Sequence, residues 1–214
     1  TPFIWKLVQT SSPYFLSRPR RFGKSLFLST LAAYFRGQKE LFKGLYLEKA
    51  EEEQAAQENR APWQAYPVLY LDFNTGQYDK EQALVSQLNM FLSQVEEIYG
   101  TNKNEKELSH RFAGIIKRAY QQTGKQVVIL VDEYDKPLFD TMHIPELHET
   151  FREILQGFYS VLKGSDAHIR FAFLTGITRF SKVSIFSGLN NLDDISMVSY
   201  FSAICGFTEA ELEA

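Results

Sequence analysis

Three consecutive residues, Gly23-Lys24-Ser25, have the types and the order of a phosphate-binding turn. They match the end of the pattern G-x-x-x-x-G-K-[ST], with Arg18 in place of its first glycine. Glycine allows close backbone approach, amides at a helix N-terminus attract anions, and lysine adds a full positive charge beside the β- and γ-phosphates. The sequence therefore predicts a nucleotide site. The predicted binding residues are Arg20, Arg21, Phe22, Gly23, Lys24, Ser25 and Leu26.

An acidic pair, Asp132-Glu133, follows the apolar run 127–131. Such a pair often belongs only to a solvated turn, but together with a phosphate-binding turn upstream it indicates a metal-binding and catalytic pair. An aspartate there holds Mg²⁺, with help from the Ser25 hydroxyl, and an adjacent glutamate can orient and polarise the attacking water. We therefore predict Ser25 and Asp132 as metal ligands, and Glu133 and Lys24 as catalytic residues.

Strands and helices are predicted to alternate along the chain. Compact apolar runs bounded by turn residues indicate strands, and apolar residues at helical spacing indicate helices. The predicted strands are 14–16, 68–73, 127–131 and 170–176, and the helices cover 24–36, parts of 79–95 and 108–119, and 146–163. Gly37 and Gly124 are predicted to end helices. Asp79 and Gln82 form a predicted capping box, and the acidic stretch 48–60 is expected to be a solvated helix or loop.

This alternation predicts a parallel sheet flanked by helices, with ligands beyond the carboxyl ends of the strands. Both motifs follow a predicted strand, so we expect them at that edge of the sheet. The strand 68–73 lies between the two motif strands in sequence, which is typical of the additional-strand division of P-loop ATPases.

Long segments of the chain resemble the AAA-ATPase-like family of bacterial proteins. The matching segments are 15–25, 131–137, 174–182, 186–191 and 205–208. The resemblance implies an α/β, three-layer P-loop NTPase fold with strand order 5-1-4-3-2. It further implies ATP at Lys24 and Ser25 and Mg²⁺ near Asp132, within a domain covering 1–199. Residues 200–214 are expected to start a helical lid or a following domain.

The resemblance also implies roles for residues at and after the end of the strand 170–176. Thr175 and Thr178 are expected to act as sensors that contact the γ-phosphate or the attacking water. Arg179 is predicted to be catalytic, as an arginine finger, the alternative being a surface arginine in a basic loop with Lys182. An arginine finger can act within one chain or on a neighbouring copy, so both a monomer and a homo-oligomer are compatible with this role.

The composition limits the remaining function classes. The chain has 214 residues, of which 44% are hydrophobic and 23% are charged, and these values exclude a disordered or fibrous protein. A formal net charge of −3 argues against a chain that coats nucleic acid with its whole surface. The single cysteine, Cys205, fits a reducing, cytoplasmic setting. The run 127–131 is too short to cross a bilayer, so we expect no membrane partner.

Three functions follow from these residues. The first is Mg²⁺-dependent ATP hydrolysis that drives or gates an attached effector. Family members often carry a C-terminal PD-D/E-XK-type nuclease domain, so nucleic acid is an expected partner of such a domain, although nuclease activity is not carried over to this chain. The second is a nucleotide-gated switch that scarcely hydrolyses ATP and engages DNA or a protein. The third is a nucleic-acid phosphate clamp built from Arg18, Arg20 and Arg21.

Overall fold

The computed structural model describes residues 1–177 and 192–206, which form one five-stranded parallel sheet with helices on both faces. The strands are β1 (Pro13–Ser17), β2 (Val68–Asp72), β3 (Val127–Asp132), β4 (Ile169–Gly176) and β5 (Asp193–Asp194). They are arranged in the order β2-β3-β4-β1-β5, and every pair of adjacent strands is parallel. The predicted order, 5-1-4-3-2, is confirmed.

Seven α-helices are found in the described part of the chain. They are α1 (Pro2–Val8), α2 (Lys24–Phe35), α3 (Tyr46–Gln57), α4 (Glu81–Tyr99), α5 (Leu108–Thr123), α6 (Lys136–Asp140) and α7 (Pro145–Gly164). Short 3-10 helices cover Lys39–Phe42, Asp166–His168 and Ser199–Phe201. Among these described residues, no helix is both long and apolar enough to cross a membrane.

The helices form two layers, one on each face of the sheet. Leu88 of α4, Ile116 of α5 and Phe158 of α7 belong to one apolar cluster. Side chains of α1, α2 and α3 belong to the other. Successive strand side chains point to opposite faces, so Ile129 joins the first cluster and Leu130 the second. Every residue of β3 is buried, as expected of a strand covered on both sides.

Glycine ends two of the helices as the sequence predicted. Gly37 follows α2 with φ of 69°, and Gly124 follows α5 with φ of 65°. Positive φ is costly for residues with a Cβ atom, so glycine is favoured at both positions. The end of α2 matters for the site, because this helix begins directly after the predicted phosphate-binding turn.

One local prediction was wrong, and another was confirmed except at one charged residue. The proposed Asp79–Gln82 capping box does not form, because α4 begins at Glu81 and its N-cap is Lys80, which makes no side-chain cap. The acidic stretch is helical, but Glu51 is buried rather than solvated. Its carboxylate accepts hydrogen bonds from Tyr34 and Arg60, and these donors compensate the cost of burying a charge.

The chain from 199 to 206 packs against α1. Phe201 is buried, and its ring centroid lies 6.2 Å from that of Phe3. The predicted boundary at 199/200 stays a prediction, since residues 207–214 lie outside the described part of the chain.

Candidate functional site

The ends of three adjacent strands bring the two motifs together. Ser17 at the end of β1 is in register with Gly176 of β4, and Val131 of β3 is in register with Leu174 of β4. The turn 18–23 and the acidic pair therefore leave the sheet at the same edge, on either side of β4. Parallel α/β sheets bind ligands at this edge.

The turn 18–23 leads directly into α2. Gly23 is the N-cap residue and has φ of 86°. No atom lies within 4 Å of the place where its Cβ would be, so backbone conformation rather than space favours glycine here. Arg21 also has a positive φ, 67°, which is uncommon for a residue other than glycine. Left-handed residues are typical of turns whose backbone amides bind an anion, so the conformations of Arg21 and Gly23 agree with a phosphate-binding turn.

Lys24 is buried at the start of α2 and is only 4% exposed. Its ammonium donates to the carbonyl oxygens of Arg18 at 2.9 Å and Pro19 at 3.1 Å. It also forms an ion pair with Glu133, with 2.9 Å between Nζ and Oε1. An ammonium has three protons, so its hydrogen-bonding capacity is fully used by these partners.

Glu133 is held in an unusual conformation. Its φ is 51°, and the residue is 7% exposed. Within the described part of the chain, its Oε2 atom is buried without a hydrogen-bond partner. Burial raises the pKa of the Glu133 carboxyl, and the Lys24 ammonium opposes that rise. The side chain therefore has one oxygen bound to Lys24 and one with capacity for another donor, such as a water molecule.

Asp132 is fixed through both of its carboxylate oxygens. Thr175 donates its hydroxyl to Oδ1 at 2.6 Å, and the side-chain amide of Asn74 donates to Oδ2 at 3.3 Å. The Thr175 hydroxyl also accepts the Glu133 amide at 3.2 Å. Thr175 therefore orients the acidic pair. The sequence had placed Thr175 near the γ-phosphate, and it did not reveal these contacts or the role of Asn74.

Replacing Thr175 with valine is expected to lower the free energy of unfolding by about 1–3 kcal/mol. The change keeps the shape of a fully buried side chain but removes a donor to Asp132 Oδ1 and an acceptor for the Glu133 amide. Urea unfolding measures the effect. Thr150→Val is the matched control, because Thr150 is half-buried on α7 and its hydroxyl makes a solvent-exposed hydrogen bond to the Glu146 carbonyl at 3.0 Å. The loss of stability in this variant should stay within about 0.5 kcal/mol. Equal stabilities of the two variants would contradict the positioning role.

The other predicted binding residues lie on the surface of the same turn. Arg20, Arg21, Phe22, Ser25 and Leu26 are all exposed. The Arg20 guanidinium lies 5.3 Å from the Phe139 ring centroid. In the described ranges, no group of three or more His, Cys, Asp or Glu side chains is arranged to hold a metal. Ser25 and Asp132 stay the predicted Mg²⁺ ligands.

Arg18 has its side chain directed away from the turn. Its guanidinium donates to the carbonyl oxygens of Ser17 at 2.9 Å, Ser196 at 2.8 Å and Phe201 at 3.0 Å. Its φ is not in the left-handed region, so this position does not require the glycine of the general pattern. Of the three arginines in the nucleic-acid clamp hypothesis, only Arg20 and Arg21 are left exposed.

A cavity of about 350 Å³ adjoins the turn. Gly23 and the first turns of α2 form one wall, α1 forms another, and residues 204–206 form the third. Most of the lining side chains are apolar. The lining residues are Thr1, Phe3, Ile4, Phe22, Gly23, Leu26, Phe27, Thr30, Ile204, Cys205 and Gly206. The sequence did not predict this cavity, because its walls come from distant parts of the chain.

Some predicted residues cannot be placed. Thr178, Arg179 and Lys182 lie outside the described residues, as do 186–191 and 207–208. The proposed sensor and finger roles of Thr178 and Arg179 therefore stay predictions.

Comparison with known proteins gives the chain a family. A family model described as "Predicted AAA-ATPase", of the AAA-ATPase-like family, matches residues 1–186. A protein of Azotobacter chroococcum mcd 1, described as "Uncharacterized protein in vnfD 5'region", is 45% identical over 215 residues. That match covers 100% of this chain but 40% of the relative's length. No solved structure matches. The chain belongs to the predicted AAA-ATPase-like family, and the resemblance stated from its motifs is confirmed.

Proposed function

We propose that this member of the predicted AAA-ATPase-like family binds ATP with Mg²⁺ and hydrolyses it to ADP and phosphate. Lys24 and the amides of residues 23–25 bind the β- and γ-phosphates. Ser25 and Asp132 hold Mg²⁺, directly or through water. Glu133 accepts a proton from the water that attacks the γ-phosphorus, and ADP leaves as the bond to its β-phosphate oxygen breaks.

The proposal depends mainly on one observation, the 2.9 Å contact between the Lys24 ammonium and the Glu133 carboxylate. The contact brings an ammonium and a carboxylate to one point of the sheet edge, which supports the proposal that Lys24 binds phosphate and Glu133 activates water. The neighbouring Asp132 is oriented there by Thr175. Phosphoryl transfer requires little more from a protein than positioning and neutralisation of developing charge.

The same contact suggests how ATP binding and water activation are coupled. Lys24 already has three acceptors, so a phosphate oxygen must replace at least one of them. Glu133 is the acceptor on a side chain, and a triphosphate carries more negative charge than one carboxylate. When the phosphate replaces Glu133, the carboxylate loses the cation that lowers its pKa and becomes a stronger base toward a bound water molecule.

The cavity beside the turn suits the nucleoside end of ATP. It shares Gly23 with the turn and is lined by Phe3, Ile4 and Phe27. Flat bases bind favourably against aromatic and apolar side chains. A nucleotide with its phosphates on the turn can therefore direct its base into this cavity.

Calorimetric titration with ATP and ADP, with and without Mg²⁺, tests the proposal together with an assay of phosphate release. We expect saturable binding of both nucleotides, tighter binding of ATP with Mg²⁺, and phosphate release only when Mg²⁺ is present. Absence of binding under all four conditions contradicts the proposal.

The nucleotide-gated switch is the second proposal, and the Lys24–Glu133 ion pair also favours it. As long as Glu133 is paired with Lys24, the ammonium lowers the pKa of its carboxyl and makes the carboxylate a weaker base toward water. A chain in which the pair re-forms readily would bind ATP and turn it over slowly. Tight ATP binding without phosphate release selects the switch over the hydrolase.

Coupling to an effector is likewise a proposal. The chain spans 40% of the length of the curated relative it matches. We propose that ATP binding or hydrolysis drives or gates an attached domain, and that such a domain makes any contact with nucleic acid. The roles of Arg179 as a finger and of neighbouring copies in a homo-oligomer belong to the same proposal.

A further inference from the structure

We propose that Arg18 makes this site select a nucleoside phosphate over an inorganic polyphosphate, by positioning one wall of the cavity beside the turn. This inference rests on the proposed function, because it assigns the phosphates to the turn and the base to the cavity. Arg18 acts as a positioning residue and touches neither group.

The first step of the argument is the geometry of the Arg18 side chain. One guanidinium nitrogen donates to the Ser196 carbonyl at 2.8 Å, and the other donates to the Phe201 carbonyl at 3.0 Å. The first nitrogen also donates to the Ser17 carbonyl. The Ser17 amide donates to the Ser196 hydroxyl at 2.8 Å and adds a second link. Hydrogen bonds from a charged donor are stronger than neutral ones, so this side chain ties the segment 196–201 to the end of β1.

The second step leads from that segment to the cavity wall. The Phe201 carbonyl that binds Arg18 also accepts the amide of Ile204 at 3.1 Å. Ile204 and the two residues after it line the cavity. The Phe201 ring also lies against Phe3, which lines the wall formed by α1, with 6.2 Å between the ring centroids. The Phe201 position therefore connects two of the walls of the cavity.

The third step is the chemistry of the two parts of the site. A polyphosphate is bound by the amides of the turn and by Lys24. Arg18 contributes to this part of the site only the backbone carbonyl that accepts a hydrogen bond from Lys24, and any residue would provide that carbonyl. A base needs the distance between the cavity walls to be fixed, and the Arg18 side chain contributes to that. Arginine in place of glycine thus positions a wall of the base-binding cavity, which the glycine of the general phosphate-binding pattern cannot do.

The test compares ADP with pyrophosphate, which carries the same number of phosphates, by calorimetry in the presence of Mg²⁺. Arg18→Gly restores the general pattern. We expect it to lower the ratio of ADP affinity to pyrophosphate affinity by roughly tenfold, toward the low end of the contribution of a base stacked on aromatic side chains. Arg20→Gly is the matched control, because it removes the same charge from the same turn, and it should weaken both ligands in parallel and leave the ratio unchanged.

Arg18→Lys covers the case in which Arg18→Gly does not fold. Lysine keeps the charge but has one nitrogen, so it cannot hold the Ser196 and Phe201 carbonyls from two separate nitrogens, and the ratio should still fall. An unchanged ratio in the folded Arg18 variants overturns the inference while leaving the proposed function intact. A wild-type protein that binds neither ligand overturns both.

Discussion

Lys24→Ala is expected to weaken ATP binding by about 10- to 150-fold, because a hydrogen bond from a charged group contributes roughly 1.5–3 kcal/mol. In the proposed complex, the Lys24 ammonium is the buried cation nearest to the phosphates. The exposed Arg20 and Arg21 are screened by solvent and cannot fully replace it. Calorimetric titration with ATP and Mg²⁺ measures the loss.

The same variant is expected to unfold more easily than the wild-type protein at pH values well above 4.5. Without Lys24, the buried Glu133 carboxylate has no ion-pair partner among the contacts described for it. Burial already raises its pKa from the ordinary value of 4.5, and removal of the cation raises it further. A carboxyl with a raised pKa in the folded state costs no stability below its unfolded pKa. It lowers stability as the pH rises through the folded pKa.

The stability deficit of Lys24→Ala should therefore shrink as the pH falls toward 4.5. Urea unfolding of both proteins across this range measures it. Lys49→Ala is the matched control, because Lys49 is an exposed lysine whose surface ion pair with Glu53 contributes little. Unchanged ATP affinity in Lys24→Ala contradicts the binding site, whereas a deficit that does not vary with pH contradicts only the ion pair with Glu133.

The sheet could be predicted from the sequence because its signals are local. β3 is apolar at every position before Asp132, and this pattern alone indicates a strand buried on both faces. Gly37 and Gly124 mark helix ends through their own backbone requirements. The elements that were missed, α1, α6 and β5, are no longer than seven residues. Such segments are too short for a hydrophobic period to stand out.

The site could be predicted only in part, because its decisive contacts join residues far apart in sequence. Both motifs were assigned to one edge of the sheet, and the register of β1, β3 and β4 places them there. The bond from Thr175 to Asp132 spans 43 residues, and that from Arg18 to Ser196 spans 178. The residues next to a side chain in sequence do not indicate which of several distant partners it will bond. The phosphate-binding pattern therefore identified the position of Arg18 but not its function.

Glu133→Gln is expected to reduce phosphate release by about 10²–10⁴-fold, the usual contribution of a general base. Glutamine keeps the length of the side chain and can still accept a hydrogen bond from Lys24, so the fold around β3 should be preserved. It cannot take a proton from the attacking water. Steady-state phosphate release with saturating ATP and Mg²⁺ measures the loss, and Glu53→Gln, on the exposed side of α3, serves as the control with unchanged turnover.

The ADP affinity of the same variant tests whether Glu133 also competes with the nucleotide for Lys24 or has only a catalytic role. Glutamine carries no negative charge, so it competes less strongly than Glu133 for the Lys24 ammonium. ADP affinity should therefore be equal to or higher than that of the wild-type protein.

Glu133→Asp separates geometry from charge. It keeps the charge but shortens the side chain by one methylene group, which weakens the 2.9 Å contact with Lys24. If competition for Lys24 limits binding, Glu133→Asp should also bind ADP more tightly than wild type, although its net charge is the same.

Full phosphate release by Glu133→Gln would show that Glu133 is not the base. Weaker ADP binding by both variants would show that the ion pair supports the nucleotide site rather than competing with the phosphates.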